Sequence, residues 1–270
     1  MTYRVPDLSI VFMIITMIAG VAIPVVLLLV FRKKLRGDLK AFFIGAAVML
    51  VFALILEQLV HALVFSLPVG AAIQANIWLY ALYGGLMAGL FEETGRLLAF
   101  RTVLRPNLAH DGNALMYGAG HGGFEAFYLL TIGMLNNLIY SLMMNAGKAS
   151  VLTGSLSGAQ LTAMETALKT LATTAPAMFL VGILERLAAV TAQLALSVLV
   201  FFGVKKKKTG YYLLAVFLHL ALDASAVIVN SYVKQVLLTE LVVWIVAGCC
   251  AAIAVTVWKK EHREELHFSS

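Results

Sequence analysis

The chain has 270 residues, of which 61% are hydrophobic and only 13% charged, with a formal net charge of +6. An ordinary soluble domain is about 25% charged, and a soluble fold of this length has too little interior to hide so much apolar surface. The composition excludes a soluble globular enzyme, a disordered chain and a nucleic-acid-binding domain. The basic residues fall between apolar runs, which is the pattern of a polytopic membrane protein.

A helix needs roughly 20 apolar residues, each rising 1.5 Å, to cross about 30 Å of hydrocarbon. Seven segments meet that length: Leu8 to Phe31, Ala41 to Leu67, Asn76 to Val103, Asn113 to Met144, Pro176 to Val204, Tyr211 to Tyr232 and Leu241 to Trp258. They predict an all-α fold, a transmembrane helical bundle of seven spans that makes residues 1–270 a single integral membrane domain. The first run has no basic segment before it and no small-residue cleavage site after it, so it reads as a retained helix rather than a signal peptide.

Lysine and arginine set the expected orientation. Arg32, Lys33, Lys34, Arg36 and Lys40 follow the first span, Arg101 and Arg105 the third, Lys205 to Lys208 the fifth, and Lys259, Lys260 and Arg263 the seventh. These segments hold 14 of the 20 basic residues, whereas the opposite side holds Arg4, Lys148, Lys169 and Lys234. The positive-inside rule then places the N-terminus outside and the C-terminus inside.

The fourth span carries Gly118, Gly120, Gly122 and Gly123 in its first half, residues that let helices approach closely. In the long connection from Asn145 to Ala175, Leu161, Met164, Leu168 and Leu171 recur near helical spacing. They predict a short amphipathic helix on the outer surface. Cys249 and Cys250 are adjacent in an apolar helix and point about 100° apart, so they cannot easily bridge and read as small packing residues.

Six of the 14 acidic residues lie inside the spans: Glu57, Glu92, Glu93, Glu125, Glu185 and Asp223. Each ionised group in hydrocarbon costs at least about 2.5–3.5 kcal/mol, a cost tolerable only when the groups face the bundle interior and have partners. Measured from the basic ends, Glu93 lies roughly 12 Å deep, His121 roughly 15 Å, His219 roughly 16 Å and Gln193 roughly 18 Å. Four helices thus bring polar groups to one level near the midplane. Glu57 and His61 lie roughly 26 to 31 Å in, near the far interface, and read as a structural or outer-surface pair. Glu185 and Arg186 also lie toward that side, where an ion pair or hydrogen bonds would support the bundle.

Spacing sharpens the cluster. Arg96 lies four residues after Glu92 and three after Glu93, so it can reach either carboxylate. An adjacent carboxylate pair does not readily ionise twice in low dielectric, and an arginine beside it keeps one charged. That arrangement tunes a general base. His121 and Glu125, and likewise His219 and Asp223, have i,i+4 spacing, which places a carboxylate beside an imidazole to orient it or to bind a metal jointly. Catalysis or metal binding is one use of such a constellation, and proton or ion transport is the other.

The run Phe91-Glu92-Glu93-Thr94-Gly95-Arg96 resembles the first motif of the CAAX-protease and bacteriocin-processing clan of membrane peptidases. Tyr117-Gly118-Ala119-Gly120-His121 resembles its second motif, and His219-Leu220-Ala221-Leu222-Asp223 its third. The run Gly118 to Glu125, with Glu185-Arg186 and the following Leu196 to Val200, is similar to the YhfC family of intramembrane metalloproteases. The resemblance implies an integral protein of the bacterial plasma membrane that hydrolyses a peptide bond. Glu92 or Glu93 would activate a water with His121, and Arg96 would set the charge of the glutamate pair. His219 and Asp223 would hold a metal, zinc or another divalent ion, or stabilise the oxyanion. Glu125 would orient His121 or act as another ligand, with Tyr117, Gln193, Glu185 and Arg186 in support. A metal-free, glutamate-activated water is the other implied route. The expected partners are membrane lipid and a peptide or membrane-protein substrate, with no nucleic acid. Hydrolysis in hydrocarbon needs a polar cavity for water, and the short loops at the basic ends predict that it opens toward the cytoplasm.

Overall fold

The computed structural model describes residues 4–268, with side chains through residue 262. The side chain of Arg263, one of the C-terminal basic residues, lies outside the described residues. The elements in chain order are α1 (Asp7–Leu35), α2 (Leu39–Val48), α3 (Gln58–Ser66), α4 (Pro68–Ala75), α5 (Ile77–Arg101), α6 (Gly112–Phe127), α7 (Met134–Asn145), α8 (Ala149–Thr153), α9 (Gly158–Thr173), α10 (Met178–Lys205), α11 (Thr209–Val233) and α12 (Val236–Phe268). A π-helical stretch, Met49–Glu57, joins α2 to α3, a second, Tyr128–Gly133, joins α6 to α7, and a 3-10 turn, Arg105–Ala109, follows α5.

Among the described residues six helical rods are long and apolar enough to cross a membrane: Asp7–Leu35, Leu39–Ser66, Gly112–Asn145, Met178–Lys205, Thr209–Val233 and Val236–His262. They coincide with six of the seven segments expected from the sequence. The remaining segment is α5. Its 25 residues rise about 37 Å, enough to span, but Glu92, Glu93 and Arg96 lower its apolarity. Glu92, Glu93 and Arg96 of the cluster thus lie on the one expected span whose apolarity falls short.

The chain forms two compact units, one of residues up to Ile23 with Ala126–Arg186, the other of Pro24–Glu125 with the residues from Leu187 onward. The first unit centres on Val5, Met13, Met144, Leu168, Leu171 and Phe179. The amphipathic helix expected between Asn145 and Ala175 is α9, with Leu168 and Leu171 buried. The Asn145 amide ties down the chain ahead of α1, accepting from the Val5 N–H at 2.8 Å and donating to the Val5 carbonyl at 2.9 Å. Arg186 donates to Glu185 at 2.7 Å, the ion pair expected there.

The second unit holds the cluster. In it α5 packs along α11, and a glycine makes the close approach possible. A Cβ on Gly89 would stand 2.8 Å from the Val216 carbonyl oxygen, so any larger residue would push α11, and His219 with it, away from α5. Gly122 plays the same part between α6 and α10, where an added Cβ would stand 2.9 Å from the Cβ of Gln193. The glycines of the fourth predicted span thus bring His121 and Gln193 together.

At the turn into α2, Asp38 Oδ2 accepts from Asn107 at 2.8 Å and from Asn113 at 3.0 Å, and the Asp38 N–H donates to Asn113 Oδ1 at 2.7 Å. The two amide donors hold the Asp38 carboxyl below its ordinary value. A carboxyl lowered in the folded state stabilises the protein above its unfolded pKa of about 3.9, and the contribution is lost as pH falls through the folded value. The thermal midpoint in detergent is therefore expected to drop on acidification below about pH 4, and Asp38→Ala to remove part of that drop. An identical acid limb in the variant would show that this loop does not report on folding.

Candidate functional site

Glu92, Glu93 and Arg96 come from α5, Tyr117, His121 and Glu125 from α6, Gln193 from α10, and His219 and Asp223 from α11. Glu93 and Arg96 are fully buried and pair: Arg96 Nη1 lies 2.8 and 2.7 Å from the two oxygens of Glu93. His219 Nδ1 lies 2.9 Å from Glu93 Oε1. Glu93 therefore has both oxygens engaged by a guanidinium and an imidazole. Of the two carboxylates within reach of Arg96, the guanidinium takes Glu93, the i,i+3 partner.

Glu92 is held differently. Its Oε2 accepts from Gln193 Nε2 at 2.8 Å and lies 2.8 Å from His121 Nε2. His219 Nε2 is 3.9 Å from the same oxygen and 3.6 Å from Asp223 Oδ2. All hydrogen bonds to Glu92 fall on Oε2; among the described residues Oε1 has none. Gln193 is the hub of the cluster. Its Oε1 accepts from Arg96 Nη2, and its Nε2 donates both to Glu92 and, at 3.2 Å, to Glu125 Oε2.

This pattern fixes the rings. With Nε2–H of His121 aimed at Glu92, its buried Nδ1 is left without a hydrogen-bond partner, a lone pair rather than an orphaned donor and so the cheaper omission. With Nδ1–H of His219 aimed at Glu93, Nε2 faces the space between Glu92 and Asp223. The Tyr117 ring stacks beside His121 with centroids 5.9 Å apart and lies under the Arg96 guanidinium at 5.8 Å.

The four residues that the resemblance implied as metal ligands are not gathered. His219 approaches Asp223, but His121 turns to Glu92 and Glu125 to Gln193. Among the described residues no three His, Cys, Asp or Glu side chains stand so that they could hold one metal ion. Imidazole and carboxylate suit zinc by chemistry, but their placement here does not make a site.

A cavity with polar groups on its wall lies beside the cluster. It is about 590 Å³, lined by Glu57, His61, Tyr83, Gly84, Gly85, Ala88 and Asp223 among others. Glu57, Tyr83 and Gly84 sit toward the ends of their helices opposite Lys40 and Arg101. Phe100 lies 4.8 Å from Tyr117 and 5.4 Å from Phe201, ring centre to centre. Glu57 and His61, expected as a structural or outer-surface pair, do pair at 3.1 Å, and both line this cavity. Tyr83, whose hydroxyl is 2.9 Å from His61 Nδ1, was not legible in the sequence, where it is one aromatic residue in an apolar run.

A family model described as YhfC intramembrane metalloprotease matches residues 19–243. Uncharacterized membrane protein YhfC of Bacillus subtilis (strain 168) is 32% identical over 247 residues, which covers 89% of this chain and 93% of that protein. No solved structure matches. The matched stretch contains every residue of the cluster and, whole, four of the six long apolar helices, and on that ground the chain belongs to the YhfC family of multi-pass integral membrane proteins, a family described as intramembrane metalloproteases.

Proposed function

We propose that the chain is an intramembrane endopeptidase in which Glu92 activates a water for attack on a peptide bond. The observation that carries this reading is the asymmetry of the two glutamates. Glu93 is neutralised and enclosed, while Glu92 is anchored through one oxygen and keeps the other for chemistry, beside an imidazole nitrogen aimed at the same space.

In this mechanism Glu92 takes a proton from water as the oxygen bonds to the scissile carbonyl carbon. His219, carrying a proton on each ring nitrogen and oriented by Glu93, donates a hydrogen bond from Nε2 to the developing oxyanion. The tetrahedral intermediate collapses, the C–N bond breaks, and the proton on Glu92 passes to the leaving nitrogen. His121 and Gln193 hold Glu92 in place, and Arg96 fixes Glu93. Asp223 orients His219 from the cavity side. Glu125 holds Gln193 through its second acceptor. The family description implies a metal, but no step here runs through one, because the donors do not converge. The substrate reaches the site from within the bilayer as a peptide or membrane protein, with lipid around the bundle; the motif resemblance to the CAAX-protease clan agrees with that class.

The test is hydrolysis of transmembrane peptides by the detergent-purified protein in H₂¹⁸O. The new carboxyl terminus is expected to carry one ¹⁸O atom. Peptide turnover without the label would reject water as the nucleophile, and intact peptides together with pH-driven ion flux in liposomes would favour transport.

A further inference from the structure

The lysines at the basic ends are not equally matched. Lys205 Nζ lies 2.6 Å from Asp111 Oδ1, and Lys208 Nζ lies 2.8 Å from Glu261 Oε1. Lys259 of α12 is exposed, and its ammonium has neither an ion pair nor a hydrogen bond among the described residues. It lines a second cavity, about 380 Å³, between α6, α10 and α12. Leu115, Leu194, Ala251, Ala254 and Trp258 are on the same wall, which is apolar almost throughout. Thr191, the other polar residue there, keeps its hydroxyl on the Leu187 carbonyl at 2.8 Å. Counted back from Lys205, Thr191 lies about 21 Å in, whereas Leu115 is one turn from the basic end of α6. The cavity is therefore a groove that runs from the basic side toward the midplane, with one unmatched cation at its mouth. Ala251 and Ala254 keep it open, and the Trp258 ring is held edge-on against Phe202 with centroids 5.6 Å apart.

We propose that this groove binds one anionic phospholipid of the surrounding leaflet, with an acyl chain along Leu115, Leu194 and Ala251 and the phosphate on the Lys259 ammonium. An apolar wall accepts a hydrocarbon chain and offers a polar ligand nothing along its length, so the occupant must be a chain with its charge at one end. Basic pockets between helices at a membrane surface take anionic headgroups, each lysine adding roughly a fivefold preference. The wall carries no carboxylate that would draw the cation of a zwitterionic headgroup, and the two acids close by in the structure, Asp111 and Glu261, are already engaged by lysines. Trp258 stands beside Lys259, where the ring of a tryptophan suits the headgroup level. The groove lies apart from the glutamate cluster and does not depend on its chemistry, but it shares two helices with it: α6 carries His121 and α10 carries Gln193. A lipid chain between α6, α10 and α12 packs against all three and stabilises the bundle when bound.

The test is native mass spectrometry of the full chain in micelles, titrated with phosphatidylglycerol or with phosphatidylcholine of the same acyl chains. The first phosphatidylglycerol is expected to bind about fivefold more tightly than the first phosphatidylcholine. Lys259→Gln is expected to abolish that preference, whereas Lys34→Gln, which removes an exposed lysine at the basic end of α1, is expected to leave it. Ala251→Phe fills the groove and is expected to weaken the first binding step for both lipids. If that variant fails to fold, the two exposed lysines decide. Equal affinity for the two lipids in the parent would overturn the site, as would an equal loss of preference in Lys259→Gln and Lys34→Gln, which would mean attraction to the basic surface at large. Unchanged binding in a folded Ala251→Phe would overturn the groove as the place of the chain.

Discussion

Glu92→Gln is expected to lower peptide hydrolysis by at least about a thousandfold, within the range for removing a general base, and to leave the unfolding midpoint near that of the parent. Glutamine keeps the shape of the side chain, and its amide oxygen can still accept from His121 and Gln193, which both meet Glu92 at Oε2. What is lost is the basic oxygen. Glu93→Gln is expected to behave in the opposite way, losing stability first, because it leaves the buried Arg96 without its carboxylate. Measuring initial rates together with thermal unfolding in the same detergent separates the two. If Glu92→Gln kept its activity and a folded Glu93→Gln lost it, the roles assigned to the pair would be reversed.

The two glutamates are adjacent in sequence, which explains why their roles could not be divided before the structure. Depth along a helix places Glu92, Glu93, His121, Gln193 and His219 near one level, because depth depends only on residue count and rise. It does not say which way each side chain turns. Spacing let Arg96 reach either glutamate and set Glu125 beside His121; in the structure Arg96 pairs with Glu93, and His121 crosses to Glu92 on another helix. Contacts between helices depend on how closely the backbones approach, and that is set by glycines such as Gly89 and Gly122 whose partners no single sequence names. Gln193 shows the same limit: its depth was readable, but its position as shared hub of Arg96, Glu92 and Glu125 was not.

Arg96→Met is expected to destabilise the folded protein by about 3–5 kcal/mol, the cost of leaving one member of a buried ion pair uncompensated. Arg96 and Glu93 are both fully buried, with Nη1 at 2.7 Å from Oε2. Removing the guanidinium strands the carboxylate with His219 alone and also frees the Oε1 of Gln193. Combining Arg96→Met with Glu93→Gln removes the stranded charge, so the double variant is expected to be more stable than Arg96→Met alone. That rescue has a structural reason, since the glutamine oxygen can still accept from His219 Nδ1. The cycle is read from unfolding midpoints in mixed micelles for the four proteins, and additivity of the two single effects would show that the pair is not energetically coupled. The same cycle bears on mechanism. If the double variant recovers its fold but hydrolyses slowly, Glu93 and Arg96 contribute by orienting His219 as well as by holding the helix, whereas recovery of both fold and rate would confine them to stability.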